Sequence, residues 1–301
     1  MHEISRTIDT VNRIMAAGKR GVLVTAIATQ GSTYRRAGAR VVIGEDGESF
    51  GLISGGCVER DLAARIESWL EAGRPQLFTY DTTQTSDILF GMGLGCRGVI
   101  EMLVEPFGAG RPPELVRSFR WNAREDVPFT THFEGRELLV EIVRPQRAVA
   151  IFGNGLDIEP VASLAGAVGW SVTLYDPRTL SLDEVRERAD SREFDAAVIM
   201  THNFMHDLML LEALLPSQTP YVGLLGPRKR GEELLSEMGD AGRSFANRLR
   251  NPIGLDLGGE TPEEIALSIV AEIQAVLNAR GGEPLQGCET PLHERNEPSW
   301  V

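Results

Sequence analysis

Residues 148–160, with the sequence AVAIFGNGLDIEP, decide the fold of the C-terminal half of the chain. An apolar run followed by Gly153-x-Gly155 predicts a strand, a tight turn and a helix. Asp176 ends the next apolar run, 23 residues after Gly153. In this layout the glycines let a phosphate approach the start of the helix, and the acid binds ribose hydroxyls. The stretch therefore predicts a Rossmann-like dinucleotide fold.

The third glycine of that fingerprint is replaced by Ile158. We expect its bulk to prevent the usual close contact between helix and strand, which puts ordinary dinucleotide binding in question. Two interpretations stay open: a nucleotide-like ligand at the turn, or a Rossmann scaffold that binds no nicotinamide.

The rest of the chain divides around this motif. After residue 147, apolar strands alternate with helices, which predicts a doubly wound parallel sheet. Before it, a strand, a hairpin and glycine-rich loops predict a smaller α/β domain with a mixed sheet. The expected divisions are an N-terminal domain at 1–106, a Pro- and Gly-rich linker region at 107–146, the Rossmann-like domain at 147–280 and a flexible tail at 281–301.

Composition excludes several classes of protein. The 301 residues carry a formal net charge of −13, which argues against broad binding of nucleic acid or of an anionic membrane surface. The chain has only three cysteines, and this small, uneven number argues against a disulfide framework. No segment resembles a signal peptide or a membrane span, so we expect a cytoplasmic protein.

Two of the three cysteines lie in glycine-rich loops. The loop Ser54-Gly55-Gly56-Cys57 precedes a predicted helix, and Cys96 lies in the second cluster, at 91–98. Backbone N–H groups at a helix start attract anions and favour the thiolate form of a cysteine there. The alternative is that both thiols are buried and inert. The pattern predicts a ligand- or sulfur-handling role for Cys57 and Cys96.

Basic and imidazole side chains follow several of the predicted strands. Arg35 and Arg36 form either an anion clamp or a solvated turn. His202 follows the third strand of the C-terminal sheet, and Arg228 follows the fourth, as a candidate phosphate contact. His202 and His206 have the i, i+4 spacing of a zinc helix, but the usual Glu and a third ligand are missing, so no metal site is predicted.

Taken together, these segments resemble the XdhC/CoxI family of accessory proteins for molybdenum hydroxylases. The stretches that carry the resemblance are GSTYRRAGARVVI, GLISGGCVERDL, GMGLGCRGVIEMLVEP, IFGNG, YDPR, VIMTHNFMHDLMLLEALL, YVGLLGPRKR and NPIGLDLGGETPEEIALSIVAEI. The resemblance implies an N-terminal domain with two cysteine loops, a C-terminal Rossmann domain, and a chaperone that binds the molybdenum cofactor, supports its sulfuration and delivers it to a xanthine dehydrogenase-type enzyme. Cys57 and Cys96 stand at the family's cysteine positions.

The cofactor that the resemblance implies is an anionic pterin carrying a phosphate and a dithiolene. Its form, as the mononucleotide or the cytosine dinucleotide, is left open. Phosphate-binding loops and a thiolate suit such a ligand. The expected contacts are Arg35, Arg36, Ser54, Gly55, Gly56, Gly153, Gly155, Asp176, His202 and Arg228.

Two other functions remain as alternatives. An NAD(P)-dependent oxidoreductase would use the Rossmann domain, with His202 as its acid or base, but the cysteine loops then have no evident task. A sulfurtransferase would carry a persulfide on Cys57 or Cys96. The partners expected for the chaperone are a molybdenum hydroxylase client and a cysteine desulfurase, and a homodimer is compatible with the sequence.

Overall fold

A computed structural model describes residues 2–31, 33–81, 98–120 and 125–287. The described residues form two compact units, the first ending at Pro145 and the second beginning at Gln146. Cys96, residues 91–97 of the glycine cluster around it and residues 288–301 of the expected tail lie outside the described residues. The side chain of Cys57 is also outside them, so only its backbone is considered.

The first unit is built around a five-stranded sheet with the order β3-β2-β1-β5-β4. All of its strand pairs are antiparallel, which corrects the expectation of a mixed sheet. Its strands are β1 (Gly21–Gly31), β2 (Arg40–Gly44), β3 (Ser49–Gly51), β4 (Gln76–Asp81) and β5 (Gly98–Phe107), and its helices are α1 (His2–Ala16), α2 (Cys57–Ala64) and α3 (Ile66–Ala72).

The two faces of this sheet bury different helices. Val24 of β1 belongs to the apolar cluster that contains Leu62 of α2 and Trp69 of α3. The next residue toward the N-terminus, Leu23, belongs to the opposite cluster, with Ile14 of α1. Successive side chains of a strand point to opposite faces, so α2 and α3 lie on one face and α1 on the other.

The region expected as a linker, 107–146, carries secondary structure of its own. Helix α4 (Glu114–Ser118) is followed by the antiparallel hairpin of β6 (Val127–Phe133) and β7 (Arg136–Val143). Leu115 and Phe129 are buried in the cluster that contains α1. Because these apolar side chains complete a core, the region belongs to the first unit. The sequence predicted a linker because the region starts with many Pro and Gly residues and because only short apolar stretches mark the helix and the hairpin.

The second unit is a parallel five-stranded sheet with the order β12-β11-β10-β8-β9. The fold class is thereby confirmed as α/β with a C-terminal Rossmann-like sheet. Its elements are β8 (Ala148–Gly153), α5 (Ile158–Ala167), β9 (Ser171–Tyr175), α6 (Leu182–Asp190), β10 (Ala196–Met200), α7 (Phe204–Leu214), β11 (Tyr221–Leu224), α8 (Arg228–Glu237), α9 (Gly239–Phe245), β12 (Leu249–Arg250) and α10 (Pro262–Leu277). From the expected tail, Leu285–Gly287 forms a 3-10 turn.

Helices cover both faces of this sheet. Phe152 of β8 packs in the cluster of α6, α7 and α8, whereas Ile151 packs in the cluster of α5 and α10. This arrangement explains why β8, β10 and β11 read as continuous apolar runs, since both of their faces are buried, whereas the edge strand β9 is largely exposed.

The strand order reverses between β8 and β10. These strands are neighbours, with Gly153 paired to Met200, while β9 lies beyond β8 and β11 beyond β10. Open α/β sheets bind ligands at the carboxyl ends of the strands at such a switch point. At this point a Cβ atom on Gly153 would lie 2.4 Å from the carbonyl oxygen of Met200, so the absence of a side chain lets the two strands approach.

Candidate functional site

The loop before α2 is built around the carboxylate of Glu59. Its Oε1 accepts hydrogen bonds from the backbone N–H groups of Ile53 and Ser54, each at 2.6 Å. Its Oε2 accepts from the Ser54 hydroxyl at 2.5 Å and from the Gly56 N–H at 3.0 Å. The last contact is half of a capping box, in which an acid at the third helical position reaches back to the N-cap amide.

Ser54 supplies the other half of this cap, because glycine at the N-cap has no side chain. Its hydroxyl oxygen accepts from the Val58 N–H at 3.1 Å and from the Gly56 N–H at 3.2 Å. Burial alone would raise the pKa of Glu59, but the hydrogen bonds from Ser54 and Ile53 outweigh that effect, and the pKa lies below its usual value. Glu59 is therefore a stable anion that uses much of the donor capacity predicted for a phosphate.

The backbone at Gly55 and Gly56 nevertheless faces open space. A Cβ atom at either position would meet no atom of the described residues within 4 Å. Gly56 has φ of 106°, a conformation that favours glycine. Cys57 follows directly as the first residue of α2. The loop thus presents an uncovered stretch of backbone next to the start of the helix.

The two predicted arginines lie in the loop that follows β1. Arg35 donates from Nη2 to Oε2 of Glu3 at 2.7 Å, so its charge is shared with α1. Arg36 is exposed beside it. An anion clamp at these residues would have to compete with Glu3 for the Arg35 guanidinium.

In the second unit, Asp157 joins the two turns at the switch point. It is the N-cap of α5, but its side chain makes no cap hydrogen bond. Its Oδ2 instead lies 2.8 Å from Nε2 of His202, in the turn after β10. Its Oδ1 lies 2.2 Å from where a Cβ atom on Gly155 would be. A carboxylate therefore covers the glycine at which a phosphate approaches the backbone in dinucleotide turns.

His202 is held in an uncommon backbone conformation, with φ of 54°. The residues on either side of it are anchored. Thr201 donates its hydroxyl to Oδ1 of the buried Asp207 at 2.5 Å, and Asn203 caps α7 by accepting from the N–H groups of Met205 and His206. Sequence placed His202 at the carboxyl edge of the sheet, and the structure places it there.

Asp176 is bound by a neighbouring arginine. Arg178 donates from Nε to Oδ1 at 2.9 Å and from Nη2 to Oδ2 at 2.5 Å. These side-chain hydrogen bonds, with a backbone hydrogen bond from Arg178, lower the pKa of Asp176 to about 2. Rotated so that its amide oxygen faces Arg178, Asn154 accepts from the same guanidinium at 3.2 Å. The acid predicted to bind ribose hydroxyls is thus engaged within the chain.

The basic run at the start of α8 has two roles. Arg228 is exposed as the first residue of the helix, after the carboxyl end of β11. Arg230 points inward and donates from Nε and Nη2 to Oδ2 of Asp207, at 2.9 and 2.6 Å. Asp207 is only 1% exposed, so Arg230 is its structural counter-ion.

Comparison with known proteins identifies both halves of the chain. The family profile described as "XdhC Rossmann domain" matches residues 149–273, and the one described as "XdhC and CoxI family" matches residues 14–81. A Bacillus subtilis protein, named as a probable subunit of xanthine dehydrogenase, is 31% identical over 84% of this chain and 92% of its own length. The chain belongs to the XdhC and CoxI family.

Two further family relatives agree with this assignment. The molybdenum cofactor insertion chaperone PaoD of Escherichia coli is 26% identical, over 87% of this chain and 85% of its own length. A crystal structure of a xanthine dehydrogenase from Bacillus halodurans superposes with a TM-score of 0.71 at 26% identity, covering 92% of this chain and 98% of that one.

The geometry brings some of the predicted residues of this XdhC/CoxI protein together and separates others by unit. Ser54, Gly55 and Gly56 form one loop that leads into Cys57, and Gly153, Gly155 and His202 meet at the switch point. Sequence reasoning missed Glu59 as the partner of the loop, Asp157 as the partner of His202 and Arg178 as the partner of Asp176. No group of three or more His, Cys, Asp or Glu residues that could hold a metal is found in the described parts of the chain. Within the same residues, no helix is long and apolar enough to cross a bilayer.

Proposed function

We propose that this protein is a chaperone that binds the molybdenum cofactor, supports its sulfuration and delivers it to a xanthine dehydrogenase-type molybdenum hydroxylase. The observation that carries the proposal is the Glu59-braced loop, where open backbone at Gly55 and Gly56 leads into Cys57 at the start of α2. A soft thiolate there suits molybdenum or sulfur chemistry, and uncovered glycines admit a bulky ligand close to the chain.

The loop suits the dithiolene end of an anionic pterin better than its phosphate. Ile53, Ser54 and Gly56 direct their N–H groups to Glu59, so the loop itself offers few donors for a phosphate. Arg35 and Arg36, predicted from the sequence as an anion clamp, are the proposed contacts of the first unit for this part of the cargo. Arg35 would exchange Glu3 for the phosphate, which is a charge-assisted contact of the same kind. Cys96 is the proposed second thiol.

In the second unit, Arg228 is the proposed phosphate contact with least competition, since it is exposed and no ion pair of it is found among the described residues. Gly153, Gly155, Asp176 and His202 are proposed to line the switch point toward the cofactor. Asp157 and Arg178 would then have to give up their present partners when an anionic group approaches.

A transfer assay tests the proposal. The wild-type protein and the Cys57→Ser variant are purified from cells that make the cofactor, and each is mixed with an apo molybdenum hydroxylase. We expect the wild type to carry a pterin and to activate the client, and C57S to lose both by at least about tenfold. Cys288→Ser, at the third cysteine of the chain, which lies outside the two glycine-rich loops, is the matched control.

Each alternative function has its own result in this assay. Bound NAD(P) with substrate turnover, and no pterin, would replace the chaperone by an oxidoreductase. Pterin retained by C57S as tightly as by the wild type would contradict the role of the loop. The mass of one added sulfur atom on Cys57 or Cys96 after exposure to a cysteine desulfurase would assign sulfur transfer to the chain itself.

A further inference from the structure

A cavity of about 350 Å³ opens in the first unit, away from the residues discussed so far. Its apolar walls are Pro75, Leu103 and Phe133. Its polar lining consists of Arg74, Glu105, Glu114, Arg117, His132 and Glu134. We propose that this cavity is a binding site for a small organic anion, in which Arg74 and Arg117 hold a carboxylate or phosphate and the apolar walls cover a ring.

The cavity is separate from the Cys57 loop. Glu105 of β5 pairs with Leu23 of β1, and paired residues of antiparallel strands point to the same face. Leu23 packs on the face that holds α1, whereas Leu62 of α2 packs on the opposite face. The sheet therefore lies between the cavity lining at Glu105 and the helix that begins at Cys57.

Of the three acidic groups of the lining, Glu105 and Glu114 make hydrogen bonds within the chain, whereas Glu134 is exposed. Both oxygens of Glu114 are used, since Oε1 lies 2.9 Å from Nδ1 of His132 and Oε2 accepts from the His132 N–H at 2.8 Å. Glu105 is 7% exposed, and its Oε1 accepts from the Glu114 N–H at 2.9 Å. Burial, which disfavours the ionised form, raises the pKa of Glu105.

The basic groups of the lining are in the opposite state. Arg74 and Arg117 are exposed, and neither makes an ion pair with any described residue. The lining also carries the carboxylates of Glu105, Glu114 and Glu134, so the cavity as a whole has no excess of positive charge, and an anion would be attracted only by the two exposed guanidinium groups. Guanidinium groups bind carboxylates and phosphates through paired N–H donors, so these two groups favour an anion.

The volume and the walls define the rest of the ligand. Ligand pockets of about 300–1,000 Å³ combine apolar walls with a few polar groups that orient the ligand. Pro75 and Phe133 offer contact to a flat ring, whereas Leu103 is only 1% exposed. The ligand class is therefore a ring compound that carries one carboxylate or phosphate.

The inference can be tested with three phenyl compounds, namely benzoate, its neutral isostere benzamide, and phenyl phosphate. Titration calorimetry on the full-length protein should show saturable binding of at least one anion and weaker binding of benzamide by about tenfold. A preference for benzoate or for phenyl phosphate would identify the anion as a carboxylate or a phosphate. Equal binding of benzamide and both anions, or no saturable binding of either anion, would overturn the proposal.

Variants locate the binding at the cavity. Arg117→Gln should weaken the preferred anion by about tenfold, as should Arg74→Gln, because each removes a charged donor. Arg144→Gln, at an exposed arginine of the same unit that does not line the cavity, should leave the affinity unchanged. Equal losses in R117Q and R144Q would contradict the assignment, since only the general charge would then matter.

Glu105→Gln should bind the anion at least as well as the wild type, because it removes a negative charge from the lining. A tenfold loss would show that the ionised carboxylate is needed and would overturn the anion site. Thermal melts of every variant confirm that the fold is kept.

Discussion

The two glycine-rich turns of this protein solve the same problem in different ways. Each leads into a helix, and each holds a carboxylate of the chain where an external anion was predicted. In the first unit, Glu59 accepts four hydrogen bonds from its own loop. In the second, Asp157 makes no cap hydrogen bond and reaches across to His202. A glycine turn at a helix start therefore indicates available N–H groups, but not whether a ligand or the chain itself uses them.

The difference lies in how firmly each carboxylate is held. Glu59 is part of the local structure of its loop, so removing it removes the loop conformation. Asp157 is one partner of a single contact between two turns that have independent anchors, so it can leave without unfolding either turn. The first turn is thus a fixed scaffold, and the second can exchange its anion.

The largest effect is expected at the anchor of the second turn. Arg230→Met leaves the carboxylate of Asp207 buried and unpaired, which should lower the free energy of unfolding of the second unit by about 3–5 kcal/mol. Lys229→Met, at the exposed neighbour on α8, should change it little. Denaturant titrations of both variants, followed by Trp170 fluorescence, make the comparison. Equal stability of R230M and K229M would show that the turn carrying His202 is not anchored through Asp207.

The next effect is expected at Glu59. Glu59→Ala leaves the N–H groups of Ile53, Ser54 and Gly56 without their acceptor, and we expect a loss of about 2–3 kcal/mol of stability in the first unit. Amide hydrogen exchange at residues 53–58 should accelerate strongly. Glu67→Ala, at an exposed acid on α3, is the control and should leave exchange in this loop as it is.

Glu59 also predicts a pH dependence. Its pKa is lowered in the folded state, so the stability that it contributes is present above the unfolded pKa of about 4.3 and is lost as pH falls through the folded value. Exchange at residues 53–58 of the wild type should therefore gain an acid-dependent opening below about pH 4 that E59A lacks. The same acid dependence in both proteins would assign the opening to another group.

A smaller effect is expected at Asp157. Asp157→Ala removes one partly exposed contact to His202 and a favourable charge at the start of α5, together worth about 0.5–1 kcal/mol. Thermal denaturation should therefore show a smaller loss for D157A than for E59A. A loss as large as that of Glu59 would remove the distinction between a fixed and an exchangeable carboxylate.

The smallest effect on stability is expected at Asp176, whose ion pair with Arg178 is exposed. Arg178→Gln should leave the thermal midpoint unchanged but return the pKa of Asp176 from about 2 toward its ordinary value of about 3.9. Carbon-detected NMR titration of the Asp176 carboxyl measures this shift. A pKa that stays near its present value in R178Q would assign the lowering to other neighbours, His206 among them.

The fold was predictable from the sequence where the hydrophobic pattern is regular, and it was missed where the strands are half-exposed. Apolar strands alternating with helices after Ala148 specify the parallel sheet. The motifs that carry the family resemblance fall within one or the other of the two matched profiles, except the stretch at 91–106. The hairpin at Val127–Val143 was missed as a unit because its strands are half-exposed and their apolar residues mostly partner the distant helix α1.

The site was predictable only in part, for a physical reason. A residue's partner can be inferred from sequence when it is close in the chain: Glu59 stands three residues after the N-cap Gly56, which is a capping signal that could have been used. The pair of Asp157 and His202 spans 45 residues and depends on a positive φ at His202. Neither the spacing nor that backbone conformation leaves a trace in composition or periodicity.

At Ile158 the sequence led to a wrong expectation about packing. Its bulk was expected to separate helix from strand, yet it is buried, and its Cδ1 would lie 3.0 Å from a Cβ on Gly153. The side chain itself fills the space between α5 and β8. Replacing the third glycine by Ile158 therefore changes which side chain packs between α5 and β8, while the helix still packs against the sheet.

The crowding at Gly155 sets an order in which this turn can accept substitutions. The nearest obstacle to a side chain at Gly155 is the carboxylate of Asp157, whereas at Gly153 it is the backbone of the neighbouring strand. Gly155→Ala should therefore cost little more than moving the Asp157 carboxylate away from His202, whereas Gly153→Ala should be harmful whether or not Asp157 is shortened. The cost of a side chain at Gly155 therefore depends on the residue at position 157, while the cost at Gly153 does not.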